Sequence, residues 1–336
     1  MNEHTGRWVG IDISKSKLDV ALLEQQGKVK SHVFANDAKG HAALVNWLID
    51  RGCQQTDTRR CMEATGPYSE APAIALSDAG WQVSVVNPAR VKGFAQGELL
   101  RNKTDRADAA LLARFAQAMR PERWSAPTLA VRHLRGLVDR LQSLKEMHQQ
   151  EANRQEAAMN QPVMQASIQS HMAWLQASIK ELEKQIDNHI DSDRELKADA
   201  ALIASIPGIG AATAAKALAY LGDIRRFKNA KALAAFIGVT PRQKQSGTSV
   251  RGRSMISRAG HACIRQSLYM PAMVALKHNL IIKAFGLRLN ETGMAPKAVI
   301  SASMHKLVRL IYGVLKTGIP FNAKFAHPQL DFQDGI

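Results

Sequence analysis

The first third of the chain alternates with the two-residue period of extended structure. Across residues 8–14, Val9, Ile11 and Ile13 fall on one face, while Gly10 and Asp12 fall on the other. Residues 17–24 read as a second strand, and Gly27-Lys28 can turn the chain into a third that runs through Phe34. The period then lengthens. Leu44, Val45, Leu48 and Ile49 mark a helix for which Asn36 or Asp37 offers the cap. A short strand is expected over residues 60–64, then a helix opened by Pro67 and reaching about Ala79. Residues 81–86 form another strand, closed by Asn87-Pro88. After a polar stretch, Thr104 caps a helix that reaches Met119. Three hairpin-joined strands followed by alternating strands and helices predict an α/β domain over residues 1–125, a mixed sheet flanked by helices.

The middle third changes rhythm. Leu134, Leu137, Leu141, Leu144 and His148 follow 3-4 spacing, and after Pro162 the rhythm returns at Ile168, Met172, Leu175, Ile179, Leu182 and Ile186. Two long helices joined near Asn160 would make an antiparallel coiled-coil arm over residues 126–195. The plainer alternative is a packed helical pair inside one domain, and two such narrow stripes also suit dimerisation. Residues 196–330 read as mainly helical. They hold Ser205-Ile-Pro-Gly-Ile-Gly210, an alanine-rich helix over 211–221, a basic loop over 241–253, and helices around 264–276 and 297–315.

Charge sharpens this division. The chain of 336 residues carries a formal charge of +16, but residues 1–194 hold 25 basic and 23 acidic side chains. Residues 195–336 hold 20 basic and 6 acidic ones, and between Asp223 and Glu291 there are 13 basic residues and no acidic one. Such self-repelling charge points to a polyanionic partner, nucleic acid above all. Cys53, Cys61 and Cys263 are odd in number and lack CxxC spacing, which argues against a disulfide framework and a zinc site. No apolar run approaches the ~18 residues of a membrane span, and the N-terminus lacks a signal-like apolar segment, so a cytoplasmic protein without a membrane partner is expected.

Four carboxylates form the first candidate site. Asp12 interrupts an apolar strand, Glu63 ends a later one, and Asp105 and Asp108 lie three apart on one side of a helix. Each alone has a dull explanation, either a solvent-facing strand residue or an acid favoured by the helix dipole. Together they suit metal-dependent phosphodiester chemistry, in which hard carboxylate oxygens hold divalent ions that stabilise attacking and leaving oxygens. Clustered without metal, they would repel one another.

The second candidate is the loop Gln245-Ser246-Gly-Thr-Ser249-Val-Arg251-Gly-Arg253, preceded by Arg242 and Lys244. A serine hydroxyl is a weak nucleophile unless something removes its proton, and no His lies within the loop to do so. Flanking arginines could grip a phosphate in paired N–H contacts. On residue types, a serine nucleophile and a phosphate-binding loop without chemistry are equally good readings. The SIPGIG segment, with Gly208 and Gly210, suits the hairpin of a helix-hairpin-helix element that binds DNA phosphate through backbone N–H groups, or an ordinary helix turn.

Taken in order, VGIDISKSKLDV, EATGPY, VVNPARVKGFAQ, LRNKTDRADA, SIPGIG and QSGTSVRG resemble the DEDD transposases of insertion-sequence family 110, recombinases guided by a bridge RNA that also resemble pilin-gene invertases. The similarity runs from about Val9 to Phe321. It implies an RNase H-like N-terminal domain of the RuvC (Holliday-junction resolvase) type. Asp12, Glu63, Asp105 and Asp108 would be its Mg²⁺ ligands, with Mn²⁺ able to substitute. It further implies a C-terminal transposase domain whose Ser246 attacks DNA to form a phosphoserine link, with Ser249 the nearest rival and Thr248 an acceptable neighbour. Acids and serine would make a composite site, within one subunit or between subunits of a dimer or tetramer. Donor and target DNA would be the substrates, read by base pairing to the noncoding RNA. The principal alternative is a junction nuclease that uses water with the same four acids. An actin-like ATPase, suggested by GIDIS alone, lacks a companion glycine-rich loop.

Overall fold

A computed structural model describes residues 6–24, 27–64, 66–99, 104–157, 161–242, 245–246, 250–251, 255–257 and 259–323. The chain falls into two compact units, Met1–Ala126 and Pro127–Ile336.

In the first unit, alternation becomes a five-stranded sheet. Strands β1 (Arg7–Ile13), β2 (Lys17–Leu23) and β3 (Val29–Ala35) are consecutive antiparallel neighbours. Helix α1 (Ala38–Asp50) follows, then β4 (Thr58–Glu63), α2 (Glu70–Asp78), β5 (Val83–Val86), α3 (Pro88–Gly97) and α4 (Asp105–Met119). Strand β4 lies parallel to β1 and β5 parallel to β4, so the order across the sheet is β3-β2-β1-β4-β5. One sheet face packs Val9, Ile11, Leu18, Val20 and Met62 against Leu44, Leu48 and Leu76 of α1 and α2. The other packs Trp8, Leu23 and Cys61 against Val91 of α3 and Leu112 and Phe115 of α4.

At Gly10, no side chain separates helix α4 from β1. A Cβ placed on Gly10 would stand 1.9 Å from the Ala109 carbonyl oxygen and 2.4 Å from the Ala113 nitrogen. Glycine is therefore required there for backbone-to-backbone approach. Thr104 caps this helix as expected, its hydroxyl accepting from the Ala107 N–H at 3.2 Å.

One local alternative is resolved and two expectations shift. The α1 cap is Asp37, whose carboxylate accepts from Gly40 N–H at 2.7 Å. Pro67 sits in a 3-10 turn, Gly66–Ser69, and α2 begins only at Glu70. Pro88, read as a strand stop, is also the first residue of α3, with the Asn87 side chain accepting from Ala89 N–H.

The second unit opens with α5 (Leu129–Ala157) and α6 (Pro162–Ser192), which run antiparallel. His189 meets the Ala130 carbonyl, Lys145 pairs with Glu183 at 2.7 Å, and Glu151 contacts His171. Then come α7 (Arg194–Ala204), α8 (Ala211–Leu221), α9 (Ala230–Ile237) and four two-residue strands. These are β6 (Pro241–Arg242), β7 (Gln245–Ser246), β8 (Val250–Arg251) and β9 (Met255–Ile256), paired β6 with β9 and β7 with β8. Helices α10 (Ala262–Ser267), α11 (Tyr269–His278), α12 (Leu280–Glu291) and α13 (Pro296–Thr317) complete the unit. Leu134, Val138 and Leu141 of α5 join Ile186, Leu218, Leu233 and Leu307 in one core, so the lower half of the helical pair is part of this unit's interior.

Among the described residues α13 is long and apolar enough to cross a membrane by length and composition. Its apolar positions Val299, Leu307, Val308, Ile311 and Leu315 are core residues here, which accounts for that composition.

Replacing Gly10 by alanine forces a methyl group into the α4 backbone. We expect Gly10→Ala to cost about 3 kcal/mol or more, read as a lowered denaturation midpoint. An unchanged midpoint would show that the helix does not rest on this strand.

Candidate active site

Strand pleating decides where the carboxylates go. Gly10 faces α4, and so does Asp12, two residues on. One step beyond the last β1–β4 pair, Ile11 with Met62, come Asp12 and Glu63, at the carboxyl ends of two parallel strands. Glu63 lies two residues after Cys61, which packs on the α4 side. The contact at Gly10 brings the first turn of α4, bearing Asp105 and Asp108, to the same end. Asp12, Asp105 and Asp108 are brought into mutual electrostatic range. Burial pushes the Asp12 carboxyl up to about 6, and the charges of Asp108 and Asp105 add to the effect.

Two further charged residues belong to this cluster, and both escape a reading of the sequence. Asp19 is the cross-strand partner of Asp12 in the antiparallel ladder, and its side chain is only 10% exposed. Lys17 donates to Asp105 at 2.7 Å and to Asp19 at 3.0 Å. Those bonds hold the Lys17 ammonium above its ordinary range and the Asp105 carboxyl below the usual carboxylate value. Lys17 is placed by the β1–β2 turn: its N–H donates to the Ser14 hydroxyl, which in turn donates to the Lys17 carbonyl.

Asn36 ties this turn to the segment after Glu63. Its amide donates to the Ser14 carbonyl at 2.9 Å and to the Tyr68 carbonyl at 3.2 Å. With the amide N–H groups so used, the Asn36 oxygen accepts from His41 Nε2 at 2.9 Å. Burial lowers the His41 value, which keeps the ring neutral.

All donors in the acidic cluster are carboxylate oxygens, the chemistry a hard divalent cation takes, and a cation would relieve the repulsion that burdens Asp12. As the side chains stand, Asp105 is turned onto Lys17. Among the described residues no three His, Cys, Asp or Glu side chains are gathered closely enough to hold a metal.

In the second unit, Ser246 lies in β7 with Val250 as its cross-strand partner. Arg251 is paired opposite Gln245, and Arg242 is exposed in β6. Lys244, Thr248, Ser249 and Arg253 lie outside the described residues. Several cations of the acid-free span are structural. Arg225 forms a two-pronged pair with Asp199 at 2.8 and 3.1 Å, and the Arg226 guanidinium lies over the rings of Phe227 and Phe236. Gly208 has φ +104°, and a Cβ there would lie 2.8 Å from the Ala275 side chain, so this glycine lets α11 approach the turn. A Cβ on Gly210, at the start of α8, would meet nothing within 4 Å.

A model described as a transposase, DEDD type of IS110, matches residues 9–163, and one described as the transposase IS116/IS110/IS902 family matches residues 200–286. The pilin gene-inverting protein of Moraxella lacunata is 31% identical over 318 residues, covering 94% of this chain and 98% of that protein. The chain belongs to the IS110 family of transposases. The transposase for insertion sequence element IS1111A of Coxiella burnetii is 38% identical to this transposase over 96 residues, 26% of each chain. Among solved structures, Thermus thermophilus RuvC matches with a TM-score of 0.25 and 17% identity, covering 34% of the transposase and 96% of that chain.

The Asp12 carboxyl gives a pH dependence in metal-free buffer. Below its ordinary value of 3.8 both folded and unfolded chains carry the proton and the group contributes nothing. Between 3.8 and about 6 the unfolded chain ionises first, so stability falls as pH rises, and above about 6 the deficit is constant. With divalent ions chelated, Asp12→Asn should therefore raise the thermal midpoint at neutral pH and leave it unchanged near pH 4. The same shift at both pH values would mean that Asp12 is not strained as an anion.

Proposed function

We propose that this IS110-family transposase cuts and rejoins donor and target DNA through a phosphoserine intermediate. In this reading the acids of an RNase H-like, RuvC-type N-terminal domain bind metal, and Ser246 serves as nucleophile. The observation that carries the reading is the backbone approach of α4 to β1 at Gly10, which brings Asp105 and Asp108 into electrostatic range of Asp12 near the carboxyl end of β1. The sheet order β3-β2-β1-β4-β5, with its antiparallel half and its parallel half, supports the RNase H-like assignment.

Asp12, Glu63, Asp105 and Asp108 would hold Mg²⁺, or Mn²⁺ in its place. A divalent ion bound there supplies Lewis-acid stabilisation of the oxygens that gain charge during phosphoryl transfer. Ser246 Oγ attacks phosphorus and its proton passes to solvent. The bond from phosphorus to the 3′ oxygen breaks, and the freed 3′ hydroxyl takes up a proton. The phosphoserine ester keeps the phosphodiester energy, so a 3′ hydroxyl of another strand can attack phosphorus, losing its proton to solvent; the phosphorus–Oγ bond breaks, Ser246 regains a proton, and the backbone is resealed without ATP. Arg242, Lys244, Arg251 and Arg253 contribute positive charge to the phosphates beside the serine, and the backbone at Gly208 and Gly210 offers further phosphate contacts.

Sequence choice rests with a noncoding bridge RNA paired to donor and target, which suits a chain rich in basic residues with only 5% aromatics. Joining two duplexes calls for a dimer or tetramer. The competing reading is a junction nuclease that activates water with the same acids.

Ser246→Ala separates the two. We expect loss of covalent protein–DNA adducts and of recombinant product, with Asp12→Ala equally inactive. Strand cutting that survives in the serine variant would establish the water-using nuclease. Recombination by purified protein should also need the element's RNA, and product formed without it would remove the guide while leaving the recombinase.

A further inference from the structure

Lys17 is the cation of the acidic cluster, and its two partners differ in kind. Asp19 projects from the middle of the sheet, next to Asp12 across the ladder, with a side chain 10% exposed. Asp105 sits on the first turn of α4 with a side chain 56% exposed. Removing a positive charge from a buried carboxylate costs far more than removing it from one that water can solvate. Any exchange of partners therefore takes place at Asp105, while Asp19 keeps the ammonium in the cluster. The Ser14 turn, itself tied by Asn36, fixes the backbone from which Lys17 reaches.

We propose that Lys17 is the resident counter-ion of this site: anchored by Asp19, it caps Asp105 in the metal-free protein and surrenders that carboxylate when a divalent ion loads. The chain thus carries its own competitor for the metal. The geometry suits both demands on such a site. Carboxylates gathered for a doubly charged ion repel one another when it is absent, and a tethered ammonium limits that repulsion. Once displaced from Asp105 it stays beside Asp19, as a positioning residue that holds positive charge at the mouth of the site. This inference rests on the acidic cluster being a metal site, as proposed above.

The test is Mn²⁺ binding to the full chain, followed by calorimetry and by the Mn²⁺ paramagnetic resonance signal, in wild type, Lys17→Met, Lys17→Gln and Asp12→Asn. Removing the ammonium should tighten binding on the order of tenfold, the scale of one nearby unit charge acting on a divalent ion in a water-like dielectric. Lys17→Gln should match Lys17→Met, because the glutamine keeps hydrogen-bond donors and loses only the charge. In chelator, both Lys17 variants should melt below wild type, and saturating Mn²⁺ should close that gap. Binding that is lost in Asp12→Asn but equal or weaker in the Lys17 variants would overturn the inference and leave the metal site intact. A melting gap that persists in Mn²⁺ would reduce Lys17 to a structural ion pair. Absence of Asp12-dependent binding in every protein would sink the metal site itself, and this inference with it.

Discussion

The backbone of α4 lies directly on the backbone of β1 at Gly10, and the placement of Asp105 and Asp108 beside Asp12 depends on that approach. A side chain at this position would lift the helix by the thickness of a methyl group or more. The first turn of α4 would then move away from the carboxyl end of the strand, taking Asp105 and Asp108 with it. The acidic residues are thus positioned by a packing contact that contains no acid. The contact lies in an interior where Leu112, Phe115 and Cys61 exclude water, so it gives little.

Around this scaffold the cluster is electrostatically unfavourable, and the fold tolerates it locally. Asp12 resists ionisation because burial and two like charges act together on it. Thr104 and the α4 dipole favour Asp105 and Asp108 where they are, and Lys17 neutralises part of the remainder. Strain of this kind concentrates where a ligand of opposite charge is expected. The Asn36 network has a complementary role. It joins the turn after Asp12 to the segment after Glu63, so the two strand ends that carry the acids share one set of hydrogen bonds.

Much of the first unit can be read from period, because β1 alternates between the two cores, with Val9, Ile11 and Ile13 on one side and Trp8 and Gly10 on the other. The Thr104 cap and the three-residue spacing of Asp105 and Asp108 were legible for the same local reason. What escaped depends on register or on close approach. Asp19 becomes the partner of Asp12 only once the phase of the hairpin is known, and Lys17 acquires two carboxylates only when α4 has docked. Gly10 reads as a weak strand residue until the helix above it is placed. The Pro88 helix was hidden because Asn87-Pro88 signals a strand end and a helix start equally well. Of the serine loop, spacing and charge were legible, and the structure adds the cross-strand pair of Ser246 with Val250.

The basic half shows why net charge identifies a partner class better than it identifies contacts. An acid-free run of 13 cations implies a polyanion. Yet Arg225 is committed to Asp199, Arg226 to two phenylalanine rings, and an Arg265 N–H to the Ile237 carbonyl at the end of α9. An arginine placed over aromatic rings or on a helix carbonyl gives shape to the fold while still adding to the long-range potential, since field falls off more slowly than contact. Arg242 in β6, by contrast, is exposed. The acidic cluster works the other way: there the fold constrains the charges closely, with Asp19 nearly buried beside Asp12, Asp105 bonded to Lys17, and the Asp12 carboxyl pushed up by burial and its like-charged neighbours.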